Sequence, residues 1–237
     1  VMCERFERLP TDEFTAFDKE NSHQEIYIKL DDFKISYNDL GEGTVPIIFL
    51  HGFPFDKTMW SNQLEVLKAN NRVIAVDIRG FGKSEDEITP LSMELFTEDL
   101  ILFMEELNIE RAVLCGLSMG GFIALDAVKR FPEYFDALIL CDTQCIADSS
   151  EVKEKRLATI EEIKNDGSKA FKEKFVKSVF HTETLTNKPG LVDELRSVVN
   201  ANSDRVINAG LQALADRSET CSILENITIP TLIICGR

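Results

Sequence analysis

The chain changes its hydrophobic period as it proceeds. "EIYIKL" and "FKISYNDLG" alternate apolar and polar residues, which predicts a two-strand antiparallel edge. Five later stretches, "VPIIFLHG", "RVIAVDIRG", "RAVLCGLS", "ALILCDT" and "IPTLIICGR", are short unbroken apolar runs, the mark of parallel strands covered on both faces. Between them the period becomes helical. "SMELFTEDLILFMEELN" sets Leu100, Phe103, Met104 and Leu107 on one face, and "GGFIALDAVKRF" does the same with Phe122, Leu125 and Val128. Strands alternating with helices predict an α/β fold: a mostly parallel, doubly covered sheet with right-handed crossovers.

The long stretch between "CDTQC" and "IPTLIICGR" has no strand pattern. Ser150 ahead of "EVKEKRLATIEEIKND" and Gly167 reads as a capped helix, followed by "AFKEKFVKSVF", "LVDELRSVVN" and "SDRVINAGLQALADR". These predict a helical cap over residues 146–221, inserted into a core of residues 24–145 and 222–237. Residues 1–23 are acidic and without period, and read as an N-terminal extension of no legible function.

At 237 residues and 44% hydrophobic the chain can bury a full-sized core. Its 26 basic and 41 acidic residues leave a net charge of −15, which repels phosphate backbones and anionic lipid, so neither nucleic acid nor membrane is an expected partner. No apolar run is long enough to span a bilayer, and "VMCERFERLPTDEF" places charge where a signal peptide would be apolar; a cytoplasmic protein is expected. Of the six cysteines, Cys115, Cys141 and Cys235 fall in strand-like runs and read as buried free thiols, fitting a reducing compartment better than a disulfide framework. Cys141 and Cys145 have the spacing of half a metal site, but no second pair completes it, so no metal is expected. The oligomeric state is not legible.

Chemistry enters at Gly116-Leu117-Ser118-Met119-Gly120, a nucleophile-elbow pattern between a buried strand and a helix. Small flanking residues let the chain turn sharply enough to lift the Ser118 hydroxyl clear of the sheet. Upstream, "FLHGFPFDKTMW" ends another parallel strand, and the backbone N–H groups of Phe53 and Met119 are the natural donors of an oxyanion hole. His51 lies in that loop and reads as structural, tying it together by hydrogen bonds. Phe53, Phe55 and Trp60, with the cap helices, are expected to form an apolar substrate pocket beyond the carboxyl ends of the strands.

With "LHGFPFDKTMW", "VIAVDIRGFGKS", "LCGLSMGGFIAL" and "LILCDT" in this order and spacing, the chain resembles the α/β-hydrolase superfamily. Within it, residues 25–237 resemble the capped carboxylesterases, 3-oxoadipate enol-lactonases and cofactor-free haloperoxidases. The resemblance implies a Ser-His-Asp mechanism on a small-molecule ester or lactone, with Ser118 as nucleophile, an oxyanion hole of Phe53 and Met119, and no cofactor. It assigns Asp77, Arg79 and Ser84 of "DIRGFGKS" to a loop that braces the site. Dehalogenases and epoxide hydrolases of this fold carry Asp at the elbow, which Ser118 argues against. Perhydrolysis by the same triad and ligand binding without catalysis are the rival readings.

In the family the acid follows the strand that "TLIICGR" matches, and the histidine comes after one further strand. His23, His51 and His181 are the only histidines, and none stands there. Asp142 occupies the position of a minority acid and is held in reserve, although in this branch it more often starts the cap. His181 reads as an exposed cap histidine. Two explanations stand: the sequence is a piece of a longer enzyme whose acid and histidine follow Arg237, or a protein that has lost catalysis. The first is preferred, because ending on a buried-type strand leaves a parallel edge open and because Val precedes Met at the start. Residues 1–237 alone are accordingly expected to be inactive, their core lacking a last strand and helix.

Overall fold

The computed structural model describes residues 26–30, 33–85 and 90–236. The expected N-terminal extension, residues 1–23, lies outside them. β1 (Ile26–Leu30) and β2 (Phe33–Leu40) form the antiparallel edge, with Ile26 opposite Tyr37 and Leu30 opposite Phe33. They are followed by β3 (Ile47–Leu50), α1 (Ser61–Leu67), β4 (Val73–Val76), α2 (Met93–Glu106), β5 (Ala112–Leu117), α3 (Met119–Arg130) and β6 (Phe135–Cys141). Five helices come next: α4 (Ser150–Asp166), α5 (Lys169–Ser178), α6 (Thr182–Asn187), α7 (Pro189–Ala201) and α8 (Asp204–Asp216). β7 (Thr231–Ile234) returns to the sheet, whose order is β1-β2-β4-β3-β5-β6-β7. β3 through β7 run parallel, and β2 joins β4 antiparallel.

The unbroken apolar runs are needed because β3, β4 and β5 are buried on both sides. Ile48 and Leu50 of β3, Ile74 and Val76 of β4, and Leu114 of β5 enter one apolar cluster with α2 and α3, while Phe49, Val73, Ala75 and Cys115 enter the other. Adjacent strand residues point to opposite faces, so both members of each pair must be apolar. Leu100, Phe103 and Met104 of α2 and Leu125 and Val128 of α3 are buried as their helical spacing predicts.

β7 departs from this pattern. Leu232, Ile233 and Ile234 are 54%, 71% and 52% exposed, since no described helix covers them, and Cys235 is exposed rather than buried. A second correction concerns α4, whose N-cap is Ser149, not Ser150: the Ser149 hydroxyl accepts from the Val152 N–H, and Ser150 is already helical. A third concerns the cysteines. Cys145 and Cys221, 76 residues apart, form a disulfide that joins the two ends of the helical insertion, so the thiols do not argue for a reducing compartment. The Thr220 N–H donates to the Cys145 carbonyl beside it at 2.8 Å. No helix among the described residues is long and apolar enough to cross a membrane.

Candidate active site

Ser118 stands between β5 and α3 with φ 50° and ψ −109°, a conformation that a non-glycine residue holds at a cost of order 1–3 kcal/mol. Its surroundings enforce it. The Ser118 N–H donates to the Cys141 carbonyl at 3.0 Å, and the Ser118 carbonyl accepts from the N–H groups of Gly121 and Phe122 at 3.0 and 3.1 Å. The Thr143 hydroxyl adds a further donor at 2.9 Å to the same carbonyl. A side chain at Gly116 would strike the Gly120 carbonyl, and one at Gly120 would strike the Leu50 carbonyl. The elbow's glycines are therefore required by close approach of strand, helix and oxyanion loop. Met119 supplies the first N–H of α3, which has no intrahelical acceptor.

The opposing loop, His51 to Phe55, is held from inside the protein. The Ile78 N–H donates to His51 Nε2 at 3.0 Å, so the proton resides on Nδ1, which lies 2.9 Å from the Gly52 carbonyl and donates to it. Burial lowers the His51 pKa despite the opposing field of Asp77 and its bond to Gly52. Both nitrogens of this neutral, wholly buried imidazole are committed, so it has no lone pair to offer Ser118. His181 is exposed and caps α6, accepting from the Glu183 N–H. Neither described histidine serves the elbow.

Asp77, Arg79 and Ser84 sit beneath this loop. Asp77 accepts from the Lys57 N–H and Nζ, each at 2.7 Å, and from the Lys83 N–H at 3.0 Å. Arg79 grips Asp99 through two nitrogens with its guanidinium 3.3 Å from the Phe33 ring centre, and the Ser84 hydroxyl donates to the Asp77 carbonyl at 2.7 Å. All three are buried and none reaches the cleft.

The cleft above Ser118 has a volume of about 340 Å³ and is lined by Phe53, Phe122, Asp142, Thr143, Gln144, Arg156, Phe175 and Leu214. Phe53 lines it as expected, its ring packed edge-on to Phe81 and against Phe171 and Phe175 of α5. Phe55 stands one layer back, 5.7 Å from the Phe175 ring. Trp60 is a correction: it closes a 3-10 turn on the other side of the sheet and packs 5.0 Å from Phe49, beside Leu64 and Val73, away from the cleft. Asp142, with φ 39°, reaches the cleft at the end of β6, and its Oδ1 accepts the Gly236 N–H at 2.9 Å; no described histidine bonds it.

Several residues of the site carry no local sequence signal. Phe175 and Leu214 are brought in by tertiary packing alone, whereas Thr143 and Gln144 follow Asp142 at the end of β6. Asn202, between α7 and α8, donates from Nδ2 to the Pro54 carbonyl at 2.8 Å and so ties the helical insertion to the loop carrying Phe53. Buried Lys172 holds Asn202 in turn, Nζ donating to its carbonyl at 2.5 Å.

The chain is similar in sequence and fold to known proteins. The chain is 25% identical over 206 residues, 86% of its length and 76% of the relative's, to 3-oxoadipate enol-lactonase 2 of Acinetobacter baylyi. A thermophilic esterase from Thermogutta terrifontis, solved with malate bound, superposes with a TM-score of 0.83 at 31% identity, covering 90% of this chain and 80% of that one. The enol-lactonase of Burkholderia xenovorans superposes with a TM-score of 0.82 at 25% identity, covering 89% and 81%. Residues 45–237 match the family model described as alpha/beta hydrolase fold, and the chain belongs to that family.

Proposed function

We propose that the protein hydrolyses carboxylic esters or lactones through an acyl-enzyme on Ser118. The observation that carries this reading is the strained, fully anchored Ser118 backbone at the floor of the cleft, a conformation maintained against its own energetic cost. In the reaction the Ser118 Oγ attacks the substrate carbonyl and its proton passes to a base outside the described residues. The oxyanion that forms is stabilised by the N–H groups of Phe53 and Met119, and collapse of the intermediate expels the alcohol. Water then hydrolyses the ester bond to Ser118. The five helices between β6 and β7 act as a cap on residues 24–145 and 222–237, with Phe53, Phe175 and Leu214 giving the acyl group an apolar wall that Phe55 backs through Phe175. No cofactor takes part. Perhydrolysis would use the same groups, with peroxide replacing water in the second step.

Turnover of 4-nitrophenyl butyrate by the protein isolated from its native source tests the reading. A burst of one nitrophenol per chain is expected, and Ser118→Ala abolishes it. Residues 1–237 alone are expected to hydrolyse the ester no faster than their Ser118→Ala variant, because neither histidine among the described residues, His51 or His181, is placed to serve Ser118; a burst from them contradicts that expectation. The engagement of both described histidines away from Ser118 favours a second reading, a ligand-binding member of the family without catalysis. Thermal stabilisation of the native protein by an ester that it never consumes would support it.

A further inference from the structure

Four arginines lie in or beside the cap, and their surroundings differ. Arg217 is spent internally: Nη1 lies 2.7 Å from both the Leu214 carbonyl and Asp148 Oδ1, Nη2 donates to the Ile146 carbonyl, and the guanidinium covers the Phe122 ring at 4.3 Å. Arg196 lies on α7 paired with Glu173 and Asp193, and neither it nor Arg205 lines the Ser118 cleft. Arg156 of α4 does line it. Only its Nε is used, donating to Asp148 Oδ2 at 2.6 Å; Nη1 and Nη2 have no hydrogen-bond partner among the described residues.

The electrostatics of this trio favour an anion. Asp148 is buried, its side chain 3% exposed, and is shared by two arginines, so the three groups carry a net single positive charge. Burial alone would raise the Asp148 pKa, but its bonds to Arg156 and Arg217 outweigh that and hold it below the usual carboxylate range, so the acid stays ionised. Its salt bridge through Nε restrains the Arg156 guanidinium where the residue lines the cleft, and leaves Nη1 and Nη2 without a hydrogen-bond partner among the described residues. A fixed guanidinium with two free N–H edges is the geometry that a carboxylate accepts with both oxygens. The other charged residue of the cleft, Asp142, lies at the end of β6, on the sheet side. A substrate carboxylate is thereby directed towards α4 while the reacting carbonyl lies over Ser118.

We propose that Arg156 is a carboxylate-binding residue, and that the preferred substrates are small esters or lactones carrying a second, free carboxylate. The proposal rests on the acyl-transfer reading of Ser118 for its chemistry, but not for its binding. About 340 Å³ is at the small end of ligand pockets, which run roughly 300–1,000 Å³, and suits a short dicarboxylate half-ester.

The test pairs turnover with binding on the native protein. Mono(4-nitrophenyl) glutarate and its neutral methyl ester are compared as substrates, and glutarate is titrated calorimetrically into the Ser118→Ala variant. The anionic ester is expected to have the higher kcat/KM, and Arg156→Gln is expected to lower the anionic-to-neutral ratio by roughly tenfold to a hundredfold and glutarate affinity to a similar degree. Lys155→Gln, which removes an exposed charge pointing elsewhere, leaves the ratio unchanged. Should Arg156→Gln fail to fold, Arg156→Lys decides: it keeps the charge beside Asp148 but not the two-pronged donor, and the ratio still falls severalfold. A ratio unaltered by either substitution, or no glutarate binding, overturns the proposal and leaves the Ser118 reading standing. Glutarate binding that depends on Arg156 in a protein that hydrolyses neither ester sustains the subsite and overturns the hydrolase reading.

Discussion

The disulfide between Cys145 and Cys221 makes a quantitative demand on stability. It closes a loop of 76 residues that contains all five helices of the insertion. Cross-linking the unfolded chain over such a loop removes closure entropy worth about 4.5 kcal/mol in the chain-entropy treatment, and measured disulfides commonly deliver about 2–4 kcal/mol. In the folded protein the same ends are already joined by the Thr220–Cys145 and Arg217–Ile146 hydrogen bonds, so breaking the bond leaves the native contacts in place and acts mainly on the unfolded ensemble. The perturbation is Cys145→Ala with Cys221→Ala, which keeps two small side chains and prevents mispairing. Urea unfolding, with and without dithiothreitol, reads the effect. The oxidised wild type should lose about 2–4 kcal/mol on reduction, and the double variant should match the reduced wild type and ignore reductant. Equal stability of oxidised wild type and double variant, within about 0.5 kcal/mol, would refute the reasoning.

Three further outcomes follow from buried polar groups. Lys57→Met removes the cation beside Asp77, whose side chain is 1% exposed and keeps only backbone N–H donors among the described residues, and should cost about 3–5 kcal/mol in urea unfolding, with unchanged stability the contrary result. His51 is buried neutral with a pKa below its ordinary 6.5, so the unfolded chain takes up a proton first as pH falls. The stability it confers is therefore complete above about pH 6.5 and declines below it by up to about 1.4 kcal/mol per pH unit; a ring-proton titration midpoint above 6.5 would contradict this. Asn202→Ala leaves the Pro54 carbonyl without its donor and should cost about 1–3 kcal/mol in thermal or urea unfolding, with unchanged stability the contrary result.

What the sequence makes legible is set by how local the cause is. β3, β4 and β5 are visible because burial on two faces needs consecutive apolar residues, β1 and β2 because an edge pair alternates, and Ser118 because a sharp strand-to-helix turn needs small neighbours at fixed offsets. Trp60 misleads: an aromatic just after the loop that holds Phe53 fits a pocket wall, but one 3-10 turn rotates it to the far side of the sheet against Phe49. Cys145 and Cys221 lie outside any periodic run, and nothing at either position announces a partner 76 residues away. The cap residues show the same limit. Arg156, Arg196, Arg205 and Arg217 are equivalent on paper, and only the packing of α4 against α8 separates the arginine that lines the cleft from the one spent on Asp148, Leu214 and Phe122. Asn202 is likewise an ordinary loop residue until the fold sets it against Pro54.

The central claim is that Ser118 is the nucleophile, and covalent capture tests it most directly. The protein from its native source is treated with a fluorophosphonate probe, which reacts with a serine activated for acyl transfer, and the adduct is located by tandem mass spectrometry. The account predicts a single adduct on Ser118, absent from the Ser118→Ala variant. Modification of any other residue that persists in that variant, or no modification of Ser118 at all, would contradict it.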